Sequence, residues 1–128
     1  MGENFIQLER LDVYVLSLEY SRKGWEIYDP LDWRIKKIIG DQFIESVDSS
    51  GANIAEGYGR FHYLDRIKFY YNARGSLYES RHWLLLMKER SIISEAKNNE
   101  MNQLANRILQ CINAMISSQY QAKKTNSQ

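Results

Sequence analysis

The sequence predicts an all-α protein, an antiparallel up-and-down four-helix bundle, and three observations carry that expectation. Apolar residues recur at three-and-four spacing through four long stretches. A single proline and seven glycines leave too few turn residues for an all-β chain. The breaks between the stretches are short, which sets sequence neighbours antiparallel. With 128 residues, 44% of them hydrophobic, the chain suits one domain around one core. The bundle is expected over residues 1–118, and the polar stretch 119–128, with its Lys123-Lys124 pair, is expected to fray.

Helix one takes its apolar positions from Leu8, Leu11, Val15, Leu18 and Trp25, with Arg22 interrupting. It should stop near Tyr28, because the residue before Pro30 is pushed out of helical dihedrals. Asp32 is a candidate N-cap for helix two, which offers Trp33, Ile35, Ile38, Ile39, Phe43, Val47 and Ile54 and ends at Gly57. Gly40 and Gly51 inside it each cost up to about 1 kcal/mol relative to alanine, so close helix contact or a bend is the better reason for them. The segment Gly57-Tyr58-Gly59-Arg60-Phe61 suits a tight reversal. Helix three then runs from Tyr63 to about Arg90. Its Tyr63, Tyr70, Leu77 and Leu84 repeat every seven residues, and Ala73, Ser76 and Ser80 form a small-residue stripe, so two faces look buried. Ser94 caps helix four, where Met101, Leu104, Ile108, Cys111 and Met115 carry the pattern to about Ser118.

Several function classes are disfavoured. No run approaches the roughly 18 apolar residues of a membrane span, and Met1-Gly2-Glu3-Asn4 lacks the basic and apolar regions of a secretory signal. Ile6 stands where a myristoylation pattern needs Ser or Thr. A cytoplasmic protein without membrane partners is expected. Lysine and arginine total 17 against 16 acids, so a net charge of +1 gives no general attraction to nucleic acid. Cys111 sits among Ile108, Ile112 and Met115, as a packing residue would. His62 and His82 have no ligand-spaced companions, and the chain has no nucleophile elbow or phosphate loop. No catalytic residue, metal or cofactor is expected. A general-acid role for Glu56 is the sharper alternative, but it would need a second poised group and a cleft. At a helix end Glu56 also needs a donor, such as Arg60.

Two arrangements stand out. In an antiparallel hairpin turning near Gly59 to Phe61, level residues have numbers that sum to about 122. Asp41 and Asp48 on helix two then face Arg81 and Arg74 on helix three, with Glu45 between the acids. This predicts an ion-pair ladder, which arginine's fork favours at a partly buried seam. The alternative is two solvated faces that match by accident. Secondly, Tyr58, Phe61, Tyr63, Phe69, Tyr70, Tyr71, Tyr78 and Trp83 crowd the turn and helix three. About half can fill the core, and the rest suit a protein interface or stacking on unpaired bases.

At Asn53-Ile54-Ala55-Glu56-Gly57-Tyr58-Gly59-Arg60, followed by Ala73-Arg74-Gly75-Ser76-Leu77-Tyr78-Glu79, the chain resembles the bacterial four-helix-bundle proteins first noticed as products of intervening sequences in 23S ribosomal RNA genes. That family includes the accessory variability determinant of diversity-generating retroelements. The resemblance runs from about Phe5 to Ser118. It implies an antiparallel four-helix protomer, assembly into a homopentamer and no enzymatic activity. For the retroelement branch it implies binding to a reverse transcriptase and to nucleic acid. By position Gln42, Asn53, Glu56, Gly57, Gly75, Ser76 and Glu79 match the family pattern as structural or interface residues, in the motif that also holds Arg74. After Gln42, where the pattern shows arginine, this chain has Phe43-Ile44-Glu45-Ser46.

The leading expectation is therefore a homo-oligomeric scaffold or accessory protein. Its rival is a nucleic-acid-binding module that uses Arg60, Arg66, Lys68 and the tail lysines Lys123 and Lys124 with interleaved aromatics, acting with a reverse transcriptase or ribosomal RNA. An enzyme using Glu56 with Arg74 or Glu79 is the third reading.

Overall fold

The computed structural model describes residues 6–127, and side chains over 6–122. A 3-10 turn, Leu8–Arg10, leads into helix α1, Asp12–Tyr28. Helix α2 spans residues 33–58 as an α-turn (Trp33–Ile35), a π-turn (Lys36–Gly40) and a regular α-helix (Asp41–Tyr58). Helix α3 is Tyr63–Glu89 and α4 is Glu95–Ser127. Each helix packs on its neighbours in chain order, and α4 closes back on α1. This is the four-helix bundle that the spacing predicts.

The helix ends follow from the chain's capping residues. Asp32 accepts from the Ile35 amide at 2.9 Å, and Ser94 Oγ accepts from the Lys97 amide at 3.0 Å. Between α3 and α4 the Ile92 amide reaches back to Met87 O (2.8 Å) and the Ser91 amide to Lys88 O (3.0 Å), a Schellman closure. Ser91 takes the left-handed position, φ 56°, that glycine would fill more easily.

The face that α1 buries differs from the expected one. Val13, Ser17, Tyr20, Gly24 and Ile27 point inward, while Val15, Leu18 and Trp25 are 46%, 44% and 52% exposed. Small residues decide this, because α2 lies so close that bulk cannot fit between the helices. A Cβ on Gly24 would meet Val47 Cγ1 at 3.1 Å, and one on Gly51 would meet Ser17 Oγ at 3.0 Å. In α2 the extra residue of the π-turn re-aims the helix, so that Ile39 is buried while Ile38 and Trp33 face outward. Gly40 sits against Leu31 and Tyr28, which gives it the close contact expected of it.

The end of α4 also departs from expectation. The helix continues to Ser127, past the end near Ser118 that the apolar pattern gave it. The stretch beyond has no glycine or proline to stop a helix. Ile116 is buried, and Tyr120 lies near Tyr71 of α3, which raises its phenol.

The core runs through Phe43, Val47, Ile54, Tyr70, Leu77, Leu84, Met101, Ile108 and Ile112. At its centre one polar bond joins α1 to α3, Tyr20 Oη to Ser80 Oγ at 2.7 Å. Ser80 donates its own proton to Leu77 O, so Tyr20 is the donor. Burial pushes the Tyr20 phenol up to about 12. A raised tyrosine keeps its stabilising effect below pH 10 and loses it as pH climbs toward 12. The total at stake is about 2–3 kcal/mol. Tyr20→Phe should cost about 1 kcal/mol at pH 7 through the lost bond and should flatten the loss of stability above pH 10. Urea unfolding across pH 7–11 reads both effects.

Candidate interaction surfaces

The ion-pair ladder does not form. Asp48 accepts from Ser21 Oγ (2.6 Å) and Asp41 from Tyr28 Oη (2.6 Å), both on α1. Arg74 donates to Asn113 (2.9 Å) and Arg81 to Asn102 (2.8 Å), both on α4. The ion pairs among the described residues are Lys23–Glu100, Lys97–Glu100 and Arg60–Glu56.

The reason is geometric. Ser49 Oγ meets Ser76 Oγ at 3.0 Å and Gly57 abuts Phe69 and Tyr70, so touching residues sum to about 126 rather than about 122. Side chains lean toward the N terminus of their own helix. In an antiparallel hairpin each touching residue therefore lies about one position C-terminal to the level one, which accounts for about half the offset. The acids also lie on the flank of α2 turned to α1, and the arginines on the flank of α3 turned to α4.

The outer surface therefore carries two unlike sides. Along α1 and α2, Leu18 and Trp25 stand beside Asp41, Glu45 and Asp48; Leu18 and Asp48 share one shallow groove with Ser21 and Ala52. Trp25 packs on Tyr28 (5.2 Å between ring centroids), and the Tyr28 phenol is raised mainly by its bond to Asp41. Along α3 and α4, Tyr71, Tyr78 and Leu85 are 40%, 54% and 48% exposed. The Arg74 guanidinium lies over Tyr71 (4.7 Å) and that of Arg81 near Tyr78 (5.8 Å). The sequence reading missed both apolar rows, although Tyr71, Tyr78 and Leu85 are themselves spaced by seven, one residue after the buried Tyr70, Leu77 and Leu84.

The remaining named residues are placed as follows. Glu56 pairs with Arg60 at 3.2 Å, the donor expected for it. Arg60 also lies over the Phe69 ring (4.8 Å), and Arg66 Nε donates to Arg60 O (2.6 Å). Lys68 is exposed on α3. The two arginines are thus tied into the α2–α3 turn, on the wall of an open cleft of about 520 Å³ with Leu8, Ala55, Tyr58 and Phe61. Tyr58 Oη reaches Ile6 O across this end. Asn53 donates to Ser49 O (2.9 Å) and Oγ (3.1 Å), and Gln42 to Ile38 O (3.4 Å). Cys111 is half-buried against the core. Among the described residues no three His, Cys, Asp or Glu side chains converge as a metal site would require, and no helix is long and apolar enough to cross a membrane.

Residues 9–114 match the 23S rRNA-intervening sequence protein family. The chain belongs to that family. Its fold is shared with a crystal structure of a protein of unknown function from the S23 ribosomal protein family of Bacteroides thetaiotaomicron, with 22% identity and a TM-score of 0.73 over 81% of this chain and 97% of that one. No curated protein matches the sequence.

In this 23S rRNA-intervening sequence family protein, the residues that match the family pattern separate by environment. Gly57 is buried, and a Cβ there would fall 2.6 Å from Tyr70 Cε1 and 3.0 Å from Phe69 Cβ. Ser76 is held by Ser49. Glu79 is exposed, and a Cβ on Gly75 would meet nothing within 4 Å. Gly57 thus serves the fold, whereas Gly75 has no packing reason within the protomer. Gly57→Ala should destabilise the bundle by about 1–3 kcal/mol, because the fully enclosed Tyr70 ring cannot swing aside. Chemical denaturation of that variant at neutral pH gives the number.

Proposed function

We propose that the protein is a non-enzymatic, homo-oligomeric scaffold or accessory protein of the cytoplasm, assembled as a ring of five copies that presents a surface to a partner. The observation that supports this reading most is the pair of outward apolar rows, Leu18 with Trp25 and Tyr71 with Tyr78 and Leu85. Neither row serves the protomer core, and large apolar side chains aligned outward in this way suit an interaction site. Aromatic residues with a polar tip are the type enriched at protein interfaces.

Nucleic acid is the weaker reading. Arg60 is compensated by Glu56, and the Nε of Arg66 is committed to a backbone carbonyl. Lys68 is exposed on α3, and the side chains of Lys123 and Lys124 lie outside the described residues. Phosphate affinity scales with the bases that reach phosphates, so a ring would bind RNA or DNA weakly and without sequence preference.

Sedimentation at micromolar concentration should show a species near five times the 15.1 kDa protomer mass. A 15.1 kDa species at that concentration would overturn the scaffold reading. Submicromolar binding of single-stranded or duplex nucleic acid that persists at about 200 mM salt would replace it with the nucleic-acid module.

A further inference from the structure

Asp41 and Asp48 lie seven residues apart on α2, Arg74 and Arg81 seven apart on α3, yet within the protomer they turn away from each other. Each acid accepts one hydrogen bond from a neutral hydroxyl, and each arginine donates to one neutral amide. Four charges at matching intervals are therefore presented outward on different sides of the bundle, and none is neutralised by an ion pair in its own chain.

Each charged pair borders an apolar row of the same period. Leu18 and Trp25, seven apart on α1, stand beside the acids, and Tyr71 and Tyr78 stand under the arginines. Rows seven residues apart repeat every ~10.5 Å along a helix, so the two sides match in spacing as well as in sign. Bases also lie along these helices, Arg22 on α1 and Arg34, Lys36 and Lys37 on α2; Lys36 is held with its ammonium over the Tyr28 ring at 4.7 Å.

We infer that the acidic α1–α2 side of one copy docks on the arginine–tyrosine α3–α4 side of the next copy. The inference rests on the self-assembly reading and specifies which surfaces meet. The contact is heterologous, since two unlike sides pair, and such contacts run head to tail into rings or open filaments. Rotation about an axis parallel to the bundle keeps α2 of one copy antiparallel to α3 of the next. Such a rotation leaves axial heights unchanged, so the register near 126 holds between copies too: Glu45 comes level with the next copy's Arg81. The long arginine side chains span the ~6 Å axial offset from Asp48 to the next copy's Arg74 and from Asp41 to its Arg81, so the ladder that fails within the chain forms between chains. Charge complementarity of this kind also fixes register and excludes same-side pairing.

Charge reversal tests this. Asp41→Arg/Asp48→Arg and Arg74→Glu/Arg81→Glu should each sediment as 15.1 kDa protomers with unchanged helical circular dichroism. The chain carrying all four changes should return to the wild-type mass. If either double variant is misfolded, Asp41→Asn/Asp48→Asn and Arg81→Gln take its place, and each should weaken assembly about tenfold or more. A monomeric wild type would remove the self-assembly reading and this inference with it. An assembled wild type whose folded variants also stay assembled would overturn the choice of surfaces alone. So would double variants that dissociate without rescue in the fourfold chain.

Discussion

The rest of the structure depends on the closeness of α2 to its neighbours. Gly24 and Gly51 let α1 approach it, and Gly57 lets the Tyr70 ring of α3 lie against its backbone. At each place a methyl group would intrude on atoms at 3.1 Å or nearer. Glycine in a helix interior is unfavourable by roughly 0.5–1 kcal/mol, so these positions are tolerable only because tight packing offsets the penalty. That closeness selects the small-residue face of α1 for the interior and turns Leu18 and Trp25 outward. It also places Tyr20 where its hydroxyl can cross the core to Ser80.

With α2 wedged between α1 and α3, its charged flank lies against α1 and cannot reach the arginines of α3. The acids settle for hydroxyl donors and the arginines for asparagine amides. Exposed ion pairs contribute only about 0–1 kcal/mol, so the fold loses little by leaving them unmade. What remains is a protomer whose sides differ in charge. Gly75, with open space around it, fits the same picture, since its helix penalty finds no compensation inside one copy.

Much of the fold was legible in the sequence. Helix number, the Asp32 and Ser94 caps and the stop near Tyr28 followed from local chemistry acting within a few residues. Gly40 and Gly51 were read as sites of close helix contact or a bend because their helix penalty demanded a reason, and both pack closely. What failed was rotation and reach. On α1 two apolar rows compete, and bulk pointed to Val15, Leu18 and Trp25, whereas the small size of Ser17 and Gly24 decided the buried face. The hairpin register was offset because level backbones are not touching side chains, and matching intervals of seven say nothing about which flank faces which helix. The π-turn at Lys36–Gly40 left no sequence signal that separates Ile38 from Ile39. The end of α4 was read near Ser118, yet no glycine or proline follows to stop the helix, and it runs to Ser127.

In functional terms the account makes one central claim: the charges and aromatics unused inside the protomer are used between copies. Disulfide trapping tests it most directly. In a Cys111→Ser background, Asp48→Cys and Tyr78→Cys chains, whose positions sum to the touching register, are prepared separately, mixed and oxidised. The account predicts a cross-linked dimer containing one of each chain, with neither variant cross-linking to itself. Trapping of either variant with itself, which would mean a same-side contact, or no mixed dimer at all, would contradict it.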